Sequence, residues 1–238
     1  MMKTILITIL LCVACFFSKA QVSFVAIGGN AGTGNTAVTT ATVTTTATLI
    51  VVNVSFYDGG TGNTLADSKG NTWILGQSNN SSPTVGITHN MYYCLNPTVG
   101  AAHTFTFTST GGFPSINYCA VTNVSALDES GGINGGASGI LSIQPGSLTP
   151  TQSGELIFCG MGASNTGSTP AINSGFTIAH GNNFVGGASE VSSLAYLVQG
   201  SAAPVNPTWS WTAPALVSCG MLTFTVSNNA SNFFILLR

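Results

Sequence analysis

Acid–base chemistry in this sequence would have to come from six carboxylates: Asp58, Asp67, Asp128, Glu129, Glu155 and Glu190. Glycoside hydrolysis, a two-carboxylate reaction, needs a pair about 5–10 Å apart in a cleft. Asp128 and Glu129 are adjacent, so on an extended chain they point to opposite sides. Glu155 and Glu190 could meet only through the fold, and no motif joins them. His89, His103 and His180 lack the short spacing of metal ligands, and no HExxH, GxSxG or paired CxxC occurs. Each histidine is expected at the surface or at a strand end. The expectation is a protein that is not an enzyme, with no catalytic, cofactor-binding or metal residues and no cofactor.

Two weaker groupings remain. Asp58, Asn63, Asp67 and Asn71 form an oxygen-rich passage of the kind calcium favours. Asx residues also fill turns for backbone reasons, which is the preferred reading here. Trp73, Trp209 and Trp211 could stack on a sugar, with Trp209 and Trp211 on one face of a strand. Core packing is the default for such a pair, and a sugar platform requires one of the three to be exposed.

The surroundings of these residues are almost uncharged. Only 4% of the chain is Asp, Glu, Lys or Arg, against about 25% in ordinary soluble proteins. Residues 1–20 read as an export signal: Lys3, an apolar core over 5–17, and small Ser18 and Ala20 at the cleavage positions. The apolar run is short of the ~20 residues that a membrane span needs. Cleavage after Ala20 leaves Lys69 and Arg238 against the six acids, a formal balance of −4 (2 minus 6). Two cations cannot neutralise a nucleic-acid backbone. The surface must be Thr, Ser, Asn and Gly, with little charge repulsion to oppose self-association. Of the cysteines, Cys94, Cys119, Cys159 and Cys219 remain, each inside an apolar run. Bridging and burial as free thiols are both open.

The elements that carry these residues are strands. The central one is ATLIVVNVSFY (47–57): four consecutive apolar residues, then alternation, as for a strand buried on both faces at its start. VSFVAI (22–27) reads as a first strand. Residues 64–74 read as two short strands joined at 68–71, and 77–83 as a polar loop. Strands are expected at 87–95, 103–109 and 115–124, with a glycine-rich passage over 130–139; if the three form a simple meander, Cys94 and Cys119 lie too far apart to bridge. Helical periodicity is nowhere sustained. The second half echoes the first: 155–158 matches 48–51 at an offset of 107, 176–178 matches 72–74 at 104, 196–198 matches 92–94 at 104, 208–212 matches 104–108 at 104, and 218–219 matches 118–119 at 100. The expected fold is an all-β, two-sheet antiparallel β-sandwich, jelly-roll-like, with an internal pseudo-repeat of about 100 residues. Phe105, Phe107, Trp209 and Trp211 are expected in one shared core. The expected organisation is a signal peptide (1–20), an N-terminal strand and glycine-rich loop (21–35), the sandwich (36–226), and a linker with an apolar C-terminal strand (227–238).

The stretches ATLIVVNVSFYDG, LADSKGNTW and YYCLNPTVGAAHTFTFTSTGGFPSINYCAV, followed by GSLTPTQSGELIF, INSGFTI and AYLVQGSAAPVNPTWSW, resemble uncharacterised β-sandwich proteins found among phage structural (tail or virion-associated) and secreted bacterial proteins. The resemblance covers 36–226 and implies the fold; no catalytic residues carry over from it. The export signal sets this chain apart from the phage members.

These readings converge on a non-enzymatic extracellular structural or adhesive protein, a self-associating surface, fibre or coat subunit. A secreted carbohydrate-binding module and a phage virion-associated structural protein are the alternatives. Expected partners are further copies of the chain, as a homo-oligomer or fibre, or a surface glycan. Nucleic acid and a membrane span after signal cleavage are not expected. The terminal run NFFILLR (232–238) is expected to pair as a strand within its own sheet or in a neighbouring subunit.

Overall fold

The threonine-, valine- and glycine-rich segments become strands wherever β-branched or aromatic residues alternate with small polar ones. The computed structural model describes residues 18–19, 21–32, 37–39, 46–57, 62–82, 86–135 and 139–229. NFFILLR, Asp58 and most of the export signal lie outside the described residues. In chain order the strands are β1 (Ser18–Lys19), β2 (Ser23–Ala31), β3 (Ala37–Thr39), β4 (Leu49–Tyr57), β5 (Thr64–Asp67), β6 (Ile74–Asn80), β7 (Ile87–Leu95), β8 (Phe105–Thr108) and β9 (Ser115–Thr122). The second half holds β10 (Val124–Ile133), β11 (Ile140–Ile143), β12 (Leu156–Ala163), β13 (Ala171–Ile172), β14 (Thr177–Asn182), β15 (Val191–Val198), β16 (Trp209–Ala215), β17 (Val217–Val226) and β18 (Asn228–Asn229). Among the described residues there is no helix, and the strands pair antiparallel throughout.

The chain forms the expected all-β antiparallel sandwich. A five-stranded sheet, β2-β9-β4-β7-β6, faces a second one, β10-β17-β12-β15-β14. Each also carries a three-stranded sheet on its outer face, β3-β8-β5 on the first and β11-β16-β13 on the second. The order in the second half is that of the first with eight added to each strand number. Every pair of sequence anchors therefore falls on strands that hold the same place in the two sheets. In each half the chain passes between the large and the small sheet at every step but one, the hairpins β6–β7 and β14–β15, which stay in the large sheet.

Side-chain alternation explains the central strand. Ile50, Val52, Val54 and Phe56 of β4 point to the small sheet and pack with Phe105 and Phe107. Leu49 and Val51 point the other way, to Leu156, Phe158, Leu222 and Phe224 of the second large sheet. A strand sandwiched between two layers needs apolar side chains on both faces, and β4 has them at its start; further along, its inner face turns polar at Asn53 and Ser55. The second half repeats this: Ile157, Cys159 and Met161 meet Trp209 and Trp211. The aromatic pairs thus fill two separate outer cores, not one shared core, and the third core lies between the large sheets.

Three further expectations are corrected. Strands 87–95, 103–109 and 115–124 do not form a meander: β8 leaves for the small sheet, and β4 lies between β7 and β9. The polar stretch starting at residue 77 is not a loop, because β6 runs through it to Asn80. The N-terminal strand is not outside the sandwich, since β2 pairs with β9 from Ser23↔Thr122 to Ala31↔Ser115. β1 pairs with β18, so cleavage after Ala20 would remove that partner.

Candidate functional site

Each polar residue singled out from sequence has a place in this framework. Asp67 ends β5 and organises the following loop. Its Oδ1 accepts from the backbone N–H groups of Lys69 and Asn71, both at 3.0 Å, and its Oδ2 accepts from Asn71 Nδ2 at 2.7 Å. His103 Nε2 lies 3.1 Å from the same Oδ2, with both side chains fully buried. Burial works to raise the Asp67 pKa, but the bonds from Asn71, His103 and Lys69 outweigh it and hold the carboxyl below its ordinary value. Asn71 also bonds Thr98, accepting from its N–H at 2.7 Å and donating to its O at 2.9 Å. Asn63 instead accepts from Thr110 N. Asn63, Asp67 and Asn71 therefore brace turns and loops. Asn173 in the second half does related work, its Oδ1 accepting from Thr208 N at 2.7 Å as Ser68 Oγ accepts from Thr104 N at 2.9 Å.

The histidines are not surface residues: His89 and His103 are fully buried and His180 is half-buried. His89 belongs to a polar seam between the large sheets. Its Nε2–H donates to Asn53 Oδ1; Asn53 Nδ2 donates to Asn117 Oδ1 at 3.2 Å; Asn117 Nδ2 donates to His180 Nδ1 at 2.9 Å. Asn53 Nδ2 also reaches the backbone oxygens of Met161 (3.4 Å) and Ser193 (3.3 Å). Nearby, Ser115 and Ser192 share a 2.6 Å hydroxyl bond. Burial drives the His89 pKa down to about 3 and lowers that of His180, so both rings are neutral at neutral pH. Gly160 and Gly162 make room for this seam: a Cβ at Gly160 would meet Asn53 and His89, and one at Gly162 would meet Ser55. Sequence reasoning missed the seam because its members alternate with apolar residues on ordinary strands.

The fold does not bring Glu155 and Glu190 together. Asp128 meets Glu155, through Thr151, whose N–H and hydroxyl donate to Asp128 at 2.9 and 2.7 Å. Burial works to raise Asp128, and the bonds from Thr151 outweigh it, leaving its pKa lowered; Glu155 is raised by burial and by the Asp128 charge. Glu190 stands apart, 6% exposed, with Oε2 buried and unpartnered. Among the described residues, no three His, Cys, Asp or Glu side chains come together as a metal site requires. Cys94, Cys119, Cys159 and Cys219 are buried free thiols, and burial raises all four pKa values.

The tryptophans form no platform. Trp209 is fully buried and donates from Nε1 to Cys159 Sγ at 3.2 Å. Trp211 donates to Ile140 O at 3.1 Å, and Trp73 packs edge-on against Phe105. An exposed aromatic lies elsewhere, at Phe184, beside a cleft of about 310 Å³ lined by Asn165, Thr166, Gly167, Ser168, Thr169 and Asn183. A shallower groove of about 630 Å³ runs between Ile133, Ser142, Gln144, Asn206 and Thr208.

Compared with protein-family models, curated proteins and solved structures, the chain matches none of them.

Proposed function

We propose that the protein is a non-enzymatic extracellular structural or adhesive protein, a self-associating subunit of a surface layer, fibre or coat. The observation that carries this reading is the state of the sheet edges. The edge strands β2, β6, β10 and β14 each pair on one side only among the described residues. Proteins that stay monomeric blunt such edges with Lys, Pro or inward charges. Here β2, β6 and β14 carry no charged residue and no Pro, and β10 carries only acids. Exposed large apolar side chains gather on them: Ile27, Ile74, Leu75, Ile133 and Ile178. Bulges in all four strands are the remaining device against indiscriminate pairing.

Export, and with it an extracellular location, rests on the pattern of residues 1–20. Light scattering on the 21–238 protein tests the assembly. The expected result is a mass of several subunits that falls to one when Ile74→Lys and Ile178→Lys are combined. A wild type that is monomeric at all concentrations would refute self-association.

A further inference from the structure

The cleft beside Phe184 has a construction that points to a ligand class. One wall is the loop between β12 and β13. Its backbone is held rigidly: Thr166 O accepts from the N–H groups of Thr212 (3.3 Å) and Ala213 (2.8 Å) on β16, and Thr166 Oγ1 donates to Ser168 O at 2.6 Å. Asn165 Oδ1 accepts from Gly167 N at 2.9 Å. Gly167 has φ +69°, and a Cβ there would lie 2.6 Å from that of Ala213, so this turn admits only glycine. The other wall is the tip of the β14–β15 hairpin, with Asn183 and Phe184. Thr169 Oγ1 donates to Asn183 Oδ1 at 3.2 Å and ties the walls together.

The groups left facing the cleft are of two kinds. Asn165, Ser168 and Asn183 line the cleft, and the amide oxygens of Asn165 and Asn183 are taken by Gly167 N and Thr169 Oγ1, which leaves their amide nitrogens as donors for a ligand. Phe184 adds an apolar ring that is 37% exposed. None of the lining side chains is ionisable. A charged ligand would lose water here and gain no countercharge. A neutral polyhydroxylated ring fits: its hydroxyls replace water on the amides, and its C–H face covers the phenyl ring. Walls already fixed by internal hydrogen bonds reduce the ordering cost of binding.

We propose that the cleft between Asn165–Thr169 and Asn183–Phe184 binds a neutral sugar ring. This rests on the adhesive reading above and gives it a ligand class.

The test is a titration of the ¹⁵N-labelled 21–238 protein, followed by amide shifts. The probes are the methyl glycosides of glucose, galactose and mannose, and N-acetylglucosamine, with glucuronate as the charged control. The expected result is saturable movement of the amides at 165–169 and 183–184, with a Kd on the order of millimolar for a single ring. Phe184→Ala should weaken it by about tenfold or abolish it, and Phe184→Tyr, which keeps the ring, should retain it. No movement with any of the four neutral sugars overturns the proposal. So does undiminished binding by Phe184→Ala, or glucuronate binding as tightly as the neutral sugars. A protein that assembles and binds no sugar leaves the edge argument standing. A monomer that binds sugar does the reverse.

Discussion

Glu190→Gln gives the most direct check of how this nearly uncharged molecule treats a buried charge. Glu190 precedes β15 where the two halves meet, and its N–H donates to Phe113 O at 3.0 Å. The carboxyl is 6% exposed and Oε2 has no partner. Burial raises its pKa from 4.5 to about 7. A folded pKa above the unfolded one means that the folded state holds the proton more tightly. The contribution is full below 4.5 and is lost as pH rises through about 7. The shift of 2.5 (7 minus 4.5), at ~1.36 kcal/mol per unit, gives at most about 3 kcal/mol. Glutamine has the same shape and no charge to bury. The difference in unfolding free energy, variant minus wild type, should therefore rise by up to about 3 kcal/mol between about pH 4 and about pH 8. Urea unfolding at both values, read by fluorescence of the buried Trp209 and Trp211, measures it. Taking the difference matters because His89 and His180, with lowered pKa values, oppose Glu190: their contributions are lost as pH falls. Glu155 acts in the same direction as Glu190. All of these cancel between wild type and variant. A difference that stays constant with pH would mean that water reaches the carboxylate, and would refute the reasoning.

Other outcomes follow from the same structure. Gly160→Ala should destabilise the fold by about 1–3 kcal/mol in thermal or urea unfolding, because the new methyl collides with Asn53 and His89. Trp209→Ala and Phe105→Ala should each cost about 3–5 kcal/mol, as for other buried aromatics, and intact stability would place those rings outside the core. Cys94, Cys119, Cys159 and Cys219 should resist iodoacetamide at neutral pH in the folded protein and react after denaturation, counted by mass spectrometry, since burial keeps their thiols protonated.

What was legible in the sequence follows from which residues face apolar layers. The four-residue apolar run in β4 announced burial on both faces, and the alternation in HTFTF and TWSWT marked strands facing a core. β6 was illegible because the sheet interface it enters is itself polar: Gln77 and Asn79 lie against Gly132 and Gly220, so the strand lacks the apolar face by which a strand is recognised. For the same reason His89, Asn53 and Asn117 carry no local mark of burial; their partners come from distant strands. The meander failed because loop lengths alone do not say that β8 crosses to another sheet. The cleft residues, Asn165 to Thr169 and Asn183, are types that any turn uses, and only the crossing of two loops sets them apart.

The two halves are alike in strand order but unlike in chemistry where they touch, and the reason lies at the centre of the interface. β4 and β12 run in the same direction there, Asn53 against Gly160 and Ser55 against Gly162. The β4–β12 match places Asn53 at the position equivalent to Gly160, and Ser55 at that of Gly162, at the offset of 107. Asn53 and Ser55 thus face the residues at their matching positions. Two asparagines at the first of these positions would collide, and two glycines would leave a gap with no hydrogen-bond partner for His89. An asparagine facing a glycine fills the space once and leaves the amide free to bond His89, Asn117 and the backbone of the other half. Each half therefore lacks what the other supplies. A symmetric pairing of two first halves, or of two second halves, would lose this fit, while the tandem chain holds both parts at once.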